Sequence, residues 1–220
     1  MTPLVLADPE RRLALAYAPA PARPAIETLW LLDERMGAIV AAAREPAIGA
    51  MRLIWWRDAL IALDERAAPA EPLLERVTAT LLPTGITGAQ ISAIEEGWSA
   101  LLDSEAPADK TMRLHATRGG ILFALAARAL NTDADDIAAA GEGWALDDLG
   151  HRISDTAAAA QARQMAAERL ASANPHLWPR VLRPLGLLTL LATRDAATSG
   201  RRQGSPARVL RGALYGLTGL

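Results

Sequence analysis

Alanine and leucine dominate this chain, and the aliphatic β-branched residues are scarce. There are 48 Ala and 34 Leu against 5 Val and 11 Ile. Alanine and leucine are strong helix formers, whereas valine and isoleucine favour strands. The composition therefore predicts an all-α protein. Because 51% of the 220 residues are hydrophobic, the chain can also fill a sizeable core.

Prolines and polar caps divide the sequence into helical segments. Asp8-Pro9-Glu10 has the pattern of a helix start, with an N-cap, a proline at the first helical position and an acid in the first turn. Pro46 ends one helical pattern and begins the next. The segments are joined by short links, without an internal repeat. We predict eight or nine helices in one domain that spans residues 1–220.

Charge and cysteine content exclude several classes of function. The chain has 23 basic and 25 acidic residues, so it lacks the broad cationic field of a non-specific nucleic-acid binder. We expect no nucleic-acid partner. The absence of cysteine removes disulfides, thiol nucleophiles and thiolate-bound zinc. The N-terminus lacks the pattern of a signal peptide, and the most apolar segment, 185–192, is far shorter than the roughly 20 residues of a membrane span. We expect a cytoplasmic protein.

The segment Arg44–Asp58 carries the densest chemical information. It contains three arginines and the adjacent pair Trp55 and Trp56, and Arg52 precedes Trp56 by four residues, on the same helix face. One interpretation is an anion pocket walled by aromatic rings. The alternative is that Trp55 packs in the core while the arginines form surface ion pairs.

This segment, R-E-P-x-x-G-x-M-R-L-x-W-W-R-D, resembles the squalene/phytoene synthase family of head-to-head prenyltransferases. Other pieces resemble family motifs in matching order. They are Leu29–Glu34 and Gly143–Asp148, similar to the two aspartate helices, the turn Thr117–Gly120, and the tail Gly204–Arg208. The resemblance covers about residues 10–220.

The resemblance implies an isoprenoid-synthase-like helical bundle with a central cavity. Such enzymes bind two prenyl diphosphates and ionise one of them with Mg²⁺, which two facing D-x-x-x-D motifs hold. Carboxylates at i and i+4 lie on one helix face, and oxygen ligands of this kind suit Mg²⁺. The metal stabilises the departing diphosphate.

Both aspartate motifs depart from the family pattern, because no candidate acid has a second carboxylate four residues later. The four pairs are Asp33 with Gly37, Glu34 with Ala38, Asp147 with His151, and Asp148 with Arg152. A diphosphate in an apolar cavity would then lack its counter-ions. The sequence therefore favours a protein that has lost the metal chemistry.

Some residual chemistry is carried by the second aspartate helix. Asp148, His151 and Asp155 fall at i, i+3 and i+7, so they would share one face of a continuous helix and offer a smaller metal site. If catalysis survives, the candidate catalytic residues are Asp147, Asp148 and Asp155, with Mg²⁺ as cofactor. The alternative is a solvated face on which Asp148 pairs with Arg152.

Arginines offer a second mode of ligand binding that needs no metal, because guanidinium groups bind anionic head groups by bidentate contacts. The predicted ligand-binding residues are Arg35, Arg52, Trp56, Arg57 and Arg118. We expect the pair Gly119-Gly120 to permit a close helix approach, and His115 and His176 to be packing or surface residues.

Three interpretations follow from these observations. The first is a non-catalytic protein that binds an isoprenoid or another anionic lipid-like ligand, or that resembles the family's assembly factor of respiratory complex I, with complex I subunits or the inner membrane surface as partners. The second is an active Mg²⁺-dependent transferase that condenses two prenyl diphosphates. The third is a helical scaffold in which the arginines and tryptophans are purely structural.

Overall fold

Helix-starting prolines and polar caps set many of the helix boundaries. A computed structural model of the chain describes residues 4–102, 107–196 and 201–219. The helices are α1 (Pro9–Ala16), α2 (Arg23–Ala42), α3 (Pro46–Ala62), α4 (Pro72–Thr80), α5 (Gly88–Ser92), α6 (Ile94–Ser99), α7 (Asp109–Ala129), α8 (Ile137–Gly150), α9 (Thr156–Leu170), α10 (Arg183–Ala196) and α11 (Pro206–Thr218). The prediction of an all-α protein is confirmed. Within the described ranges, none of the helices combines the length and the apolar character that a membrane crossing needs.

The predicted start of α1 is confirmed in atomic detail. The carboxylate of Asp8 accepts hydrogen bonds from the backbone N–H groups of Glu10 and Arg11, at 2.7 and 3.2 Å. These donors have no partner within the helix, so the cap satisfies them. Thr87 and Gln90 form a reciprocal capping box at α5.

Two stretches of the sequence with a helical pattern each form two helices, and the second of these patterns already allows a bend at Gly150 or near Ser154. The pattern from Thr87 to Leu102 forms α5 and α6, which meet at Ala93. The pattern from Ala134 to Leu170 forms α8 and α9, with the break between Gly150 and Thr156. Asp155 is the N-cap of α9, and its side chain accepts a hydrogen bond from Ala158 N–H at 2.7 Å.

The buried face of α3 differs from the sequence interpretation. The interpretation that places Trp55 in the core is wrong, because Trp55 is 48% exposed, whereas Trp56 is buried. The face that packs inward is Gly49, Leu53, Trp56 and Leu60. These positions are spaced 4, 3 and 4 residues apart, so they also form a continuous stripe. Since both faces of α3 are apolar, periodicity alone could not choose between them.

Helix α8 lies in the interior of the bundle, against α7, α9 and α10. Small residues let α7 and α8 cross closely. A Cβ atom added to Gly119 would press on the carbonyl oxygen of Gly141 and lie 2.5 Å from Ala145 Cβ. The predicted close approach at Gly119 is therefore confirmed. As a consequence, the acids near the end of α8 are buried, with Asp147 1% exposed and Asp148 8% exposed.

Candidate functional site

A buried group of polar side chains joins α1, α2, α6 and α7. We call Arg11, Asp33, Trp98, His115 and Arg118 the Asp33 cluster. Asp33 has no solvent exposure, and its two oxygens are shared between two guanidinium groups. Arg11 Nη2 donates to Oδ2 at 2.6 Å, Arg118 Nη1 donates to Oδ1, and Trp98 Nε1 donates to Oδ1 at 2.9 Å. The single aspartate of the first aspartate helix is therefore fully engaged by donors.

The Asp33 cluster contains two positive charges and one negative charge. Aromatic rings contact both guanidinium groups and stabilise the additional positive charge. The guanidinium carbon of Arg118 lies 4.3 Å from the ring centroid of Trp98, and that of Arg11 lies 4.9 Å from the ring centroid of Trp144. Such contacts stabilise a desolvated cation. Although burial acts to raise the pKa of Asp33, Arg118 and Arg11 hold it well below its usual range. Asp33 is thus a permanent carboxylate.

His115 in the Asp33 cluster is held neutral. Its Nδ1 lies 3.1 Å from the carbonyl oxygen of Gly97, and its Nε2 lies 3.3 Å from Arg118 Nη2. Because a guanidinium group can only donate, Nε2 must accept, and the proton resides on Nδ1. Burial, together with the charge of Arg118, lowers the pKa of His115 to about 3. The expectation that His115 is a packing residue agrees with this position.

We expect the stability of the protein to depend on His115 below neutral pH. Unfolded histidine takes up a proton near pH 6.5, but the folded state resists protonation down to about pH 3. The contribution is therefore complete above pH 6.5 and is lost as the pH falls towards 3. Relative to a His115→Gln variant, the wild type should lose about 1.4 kcal/mol per pH unit between about pH 6 and 4. Urea denaturation of both proteins at several pH values measures this difference, and parallel profiles would contradict it.

The second aspartate helix contributes a separate group, in which acids of α8 meet residues of α10 and of the segment before α11. We call Asp147, Asp148, His151, Asp195 and Arg201 the α8 acid cluster. Arg201 Nη1 lies 3.1 Å from Asp148 Oδ1 and 3.7 Å from Asp147 Oδ2. Asp148 also accepts from Arg152 Nε at 2.7 Å. The predicted Asp148–Arg152 pair is therefore present, on an interior helix.

The two neighbouring acids have opposite environments. Burial raises the pKa of Asp147 to about 8. Arg201 acts to lower this pKa, but the nearby acids Asp195 and Asp148 raise it further. For Asp148, burial also acts upward, but Arg152 and Arg201 bring its pKa below the usual value. Opposed shifts on adjacent acids are common at functional sites.

The predicted metal site at Asp148, His151 and Asp155 needs correction. A shared face would require one continuous helix, but α8 ends at Gly150 and Asp155 is the exposed N-cap of α9. His151 instead faces Asp147, with 3.4 Å between Nε2 and Oδ1. Asp147, His151 and Asp195 bring one ligand atom each within 4.8 Å of one another. This buried group can hold a metal ion, whereas Asp155 lies outside it.

Three of the predicted ligand-binding residues meet in a groove between α2 and α3. The groove has a volume of about 480 Å³, which is in the range of small-molecule sites. The guanidinium carbon of Arg35 lies 5.8 Å from the ring centroid of Trp56, in cation–π contact. The residues that line this α2–α3 groove are Arg35, Ile39, Ile48, Met51, Arg52, Trp55 and Trp56.

The other two predicted ligand-binding residues lie elsewhere. Arg57 is on α3 but outside the lining of the groove, where it forms an exposed ion pair with Asp58 at 2.9 Å. Arg118 is 1% exposed and belongs to the Asp33 cluster. The four arginines therefore do not form one anion site, because helix register directs Arg57 and Arg118 away from the groove.

Several residues of the buried clusters were not singled out by the sequence. Arg201 illustrates why, because it donates to Asp148, 53 residues away. Arg11 and Trp98 likewise reach Asp33 from distant helices. No local spacing signals such contacts. One signal in the sequence could have indicated these buried residues, namely an arginine or acid on an otherwise apolar helix stripe. Asp195, which follows Leu188 and Leu191, is an example.

Comparison with known proteins gives no relative: no family, no curated protein and no solved structure matches the chain.

Proposed function

We propose that this protein is a non-catalytic, isoprenoid-synthase-like helical protein that binds an amphiphile with an anionic head group. The α2–α3 groove is the binding site, and a prenyl diphosphate is the representative ligand. The resemblance of Arg44–Asp58 to squalene/phytoene synthases suggests the ligand class. The chemistry of the buried clusters argues against ionisation of that ligand.

The main support for this proposal is that two buried arginines pair with the carboxylate of Asp33. A magnesium clamp needs carboxylates that can turn to a metal and a diphosphate. Asp33 instead bonds Arg11 and Arg118 in a site without solvent exposure. A divalent cation there would have to displace two guanidinium groups into an apolar interior, at a cost of several kcal/mol for each charge. Asp33 therefore does not fit a Mg²⁺ site.

The groove provides the features that recognise an amphiphile. Arg35 and Arg52 supply two planar, permanently charged donors, which suit phosphate oxygens. Ile39, Ile48 and Met51 supply an apolar wall along which a hydrocarbon chain can lie. Both types of surface meet in one groove, so a single ligand can contact them together.

The active-transferase interpretation makes a different prediction. It requires Mg²⁺-dependent release of inorganic diphosphate, with Asp147 and Asp148 as metal ligands. In the α8 acid cluster Asp148 is held by Arg152 and Arg201, at 2.7 and 3.1 Å. This pairing weighs against that interpretation for the same reason as at Asp33.

An assembly-factor role is a second candidate, and one observation favours it. Helix α11 presents a row of exposed leucines at i, i+4 and i+7, namely Leu210, Leu214 and Leu217, which are 72%, 55% and 69% exposed. Exposed apolar rows of this kind are typical of protein interaction surfaces.

We expect farnesyl diphosphate to bind to the groove without Mg²⁺. Titration calorimetry in the presence of EDTA should show saturable binding, and no inorganic diphosphate should be released with or without Mg²⁺. Arg52→Gln and Arg35→Gln should each weaken binding by about 10-fold, because each removes a charge-assisted hydrogen bond worth about 1.5 kcal/mol. Both side chains are exposed, so the variants should remain folded.

Arg57→Gln is the matched control, since Arg57 lies on the same helix but outside the groove. It should leave the affinity unchanged. Farnesol, which lacks the diphosphate, should bind more weakly than farnesyl diphosphate and respond little to Arg52→Gln. Absence of binding, or equal effects of the three arginine variants, would reject the groove as the site. Mg²⁺-dependent release of diphosphate would restore the transferase interpretation.

A further inference from the structure

We infer that Asp147, His151 and Asp195 form a binding site for a divalent transition metal ion, with Zn²⁺ as the best fit. The site differs from the α2–α3 groove and does not depend on the proposed ligand. It also differs from a magnesium clamp, because it combines one imidazole with two carboxylates and takes its third ligand from α10.

The geometry of Asp147 and His151 matches a metal coordination edge. His151 Nε2 and Asp147 Oδ1 lie 3.4 Å apart. Two ligands at about 2.0–2.1 Å from a tetrahedral Zn²⁺ lie about 3.4 Å from each other. The third ligand atom, on Asp195, lies within 4.8 Å of both. Water or a further oxygen can fill the fourth position.

Buried atoms without hydrogen bonds point to a missing ligand. Asp147 is 1% exposed, and neither its Oδ1 nor His151 Nε2 has a hydrogen-bond partner. An unsatisfied buried polar atom destabilises the fold, and two such atoms face each other here. A cation placed between them satisfies both atoms at once.

The surrounding ion pairs hold the proposed ligands in position. Four carboxylates, of Glu10, Asp147, Asp148 and Asp195, share ion pairs with three arginines, namely Arg152, Arg201 and Arg208. Asp195 Oδ1 accepts a hydrogen bond from Arg208, which fixes that carboxylate. Such second-layer contacts orient metal ligands.

Among the described residues, two arginines contact the proposed ligands: Arg208 donates to Asp195, and Arg201 lies near both aspartates. The closest approach of Arg201 in the α8 acid cluster is to Asp148, at 3.1 Å, whereas its contacts with Asp147 and Asp195 are both 3.7 Å. These longer contacts exceed hydrogen-bond distance. Arg201 is therefore anchored on Asp148, beside the proposed ligand set.

The ligand types select the metal. Imidazole nitrogen suits zinc and neighbouring transition metals, whereas Mg²⁺ requires an octahedral set of oxygens. We therefore expect Zn²⁺ to bind in the presence of millimolar Mg²⁺, with one ion per chain.

The test is direct metal binding to the full chain after chelator treatment and dialysis. Titration calorimetry with Zn²⁺ alone should give one site, and Co²⁺ should produce the visible absorption of a tetrahedral centre. Zn²⁺ should also raise the melting temperature. His151→Gln and Asp147→Asn should each lower the affinity by about 100-fold or more, because each removes a ligand atom.

Control variants separate this site from adventitious binding. His176→Gln removes an exposed histidine that contacts the carbonyl oxygen of Gly219, and it should keep the wild-type affinity and stoichiometry. Asp147→Asn preserves the shape of the side chain and removes a ligand oxygen, so its far-UV circular dichroism should match the wild type while the zinc-dependent rise in melting temperature disappears. Weak binding of several ions per chain, or unchanged affinity in both ligand variants, would overturn the inference.

Discussion

Replacing Asp33 with asparagine should destabilise the protein by about 3–5 kcal/mol, which is the expected cost of removing one partner from a buried ion pair. The substitution keeps the shape of the side chain but leaves Arg11 and Arg118 in the interior without a counter-charge. Their side chains are only 7% and 1% exposed, so water cannot replace the lost carboxylate. Urea denaturation at neutral pH measures the change.

An exposed pair provides the control for the Asp33 variant. Asp109 accepts from Arg113 at 2.8 Å at the start of α7, and the two side chains are 50% and 61% exposed. Surface pairs of this kind contribute little, because water screens both charges, so Asp109→Asn should have little effect. If Asp33→Asn were neutral or stabilising, Asp33 would behave as a free acid, and the main support for a non-catalytic interior would be lost.

The local features of the fold could be predicted from the sequence because their causes are local. Asp8 and Pro9 start α1, Pro46 starts α3, and the scarcity of β-branched residues accounts for the all-α structure. The break after Gly150 was harder to place, since Asp155 could continue a helical face or cap a new helix. Only packing decides between these roles.

The clusters of charge could not be predicted, because their members are far apart in the sequence. Asp33 joins Arg11 and Arg118 across 22 and 85 residues. The sequence identified Asp33 as an acid without a second carboxylate, but not the two arginines that hold it. Likewise it identified His151, whereas its neighbour Asp195 comes from α10. In contrast, Arg52 and Trp56 are one turn apart, so their shared groove followed from helix geometry.

The crossing of α7 and α8 should be the second most sensitive point in the protein. Gly119→Ala should cost about 3 kcal/mol or more, because the added methyl group presses on the backbone of Gly141 and lies 2.5 Å from Ala145 Cβ. Backbone cannot rotate away as a side chain can, so the helices must separate. Thermal and urea denaturation measure the loss.

The neighbouring glycine separates packing from helix propensity. A Cβ at Gly120 would lie 3.1 Å from the nearest atom, the carbonyl oxygen of Ala138, so this site needs only a small shift. Alanine also favours the helix by about 1 kcal/mol over glycine, so Gly120→Ala should change stability by less than about 1 kcal/mol. If Gly119→Ala changed the stability as little as Gly120→Ala, the crossing would tolerate a larger separation of the two helices. A large effect confined to Gly119 is the expected result. The same crossing holds a buried cation in place, because the guanidinium carbon of Arg118 on α7 lies 5.6 Å from the ring centroid of Trp144 on α8.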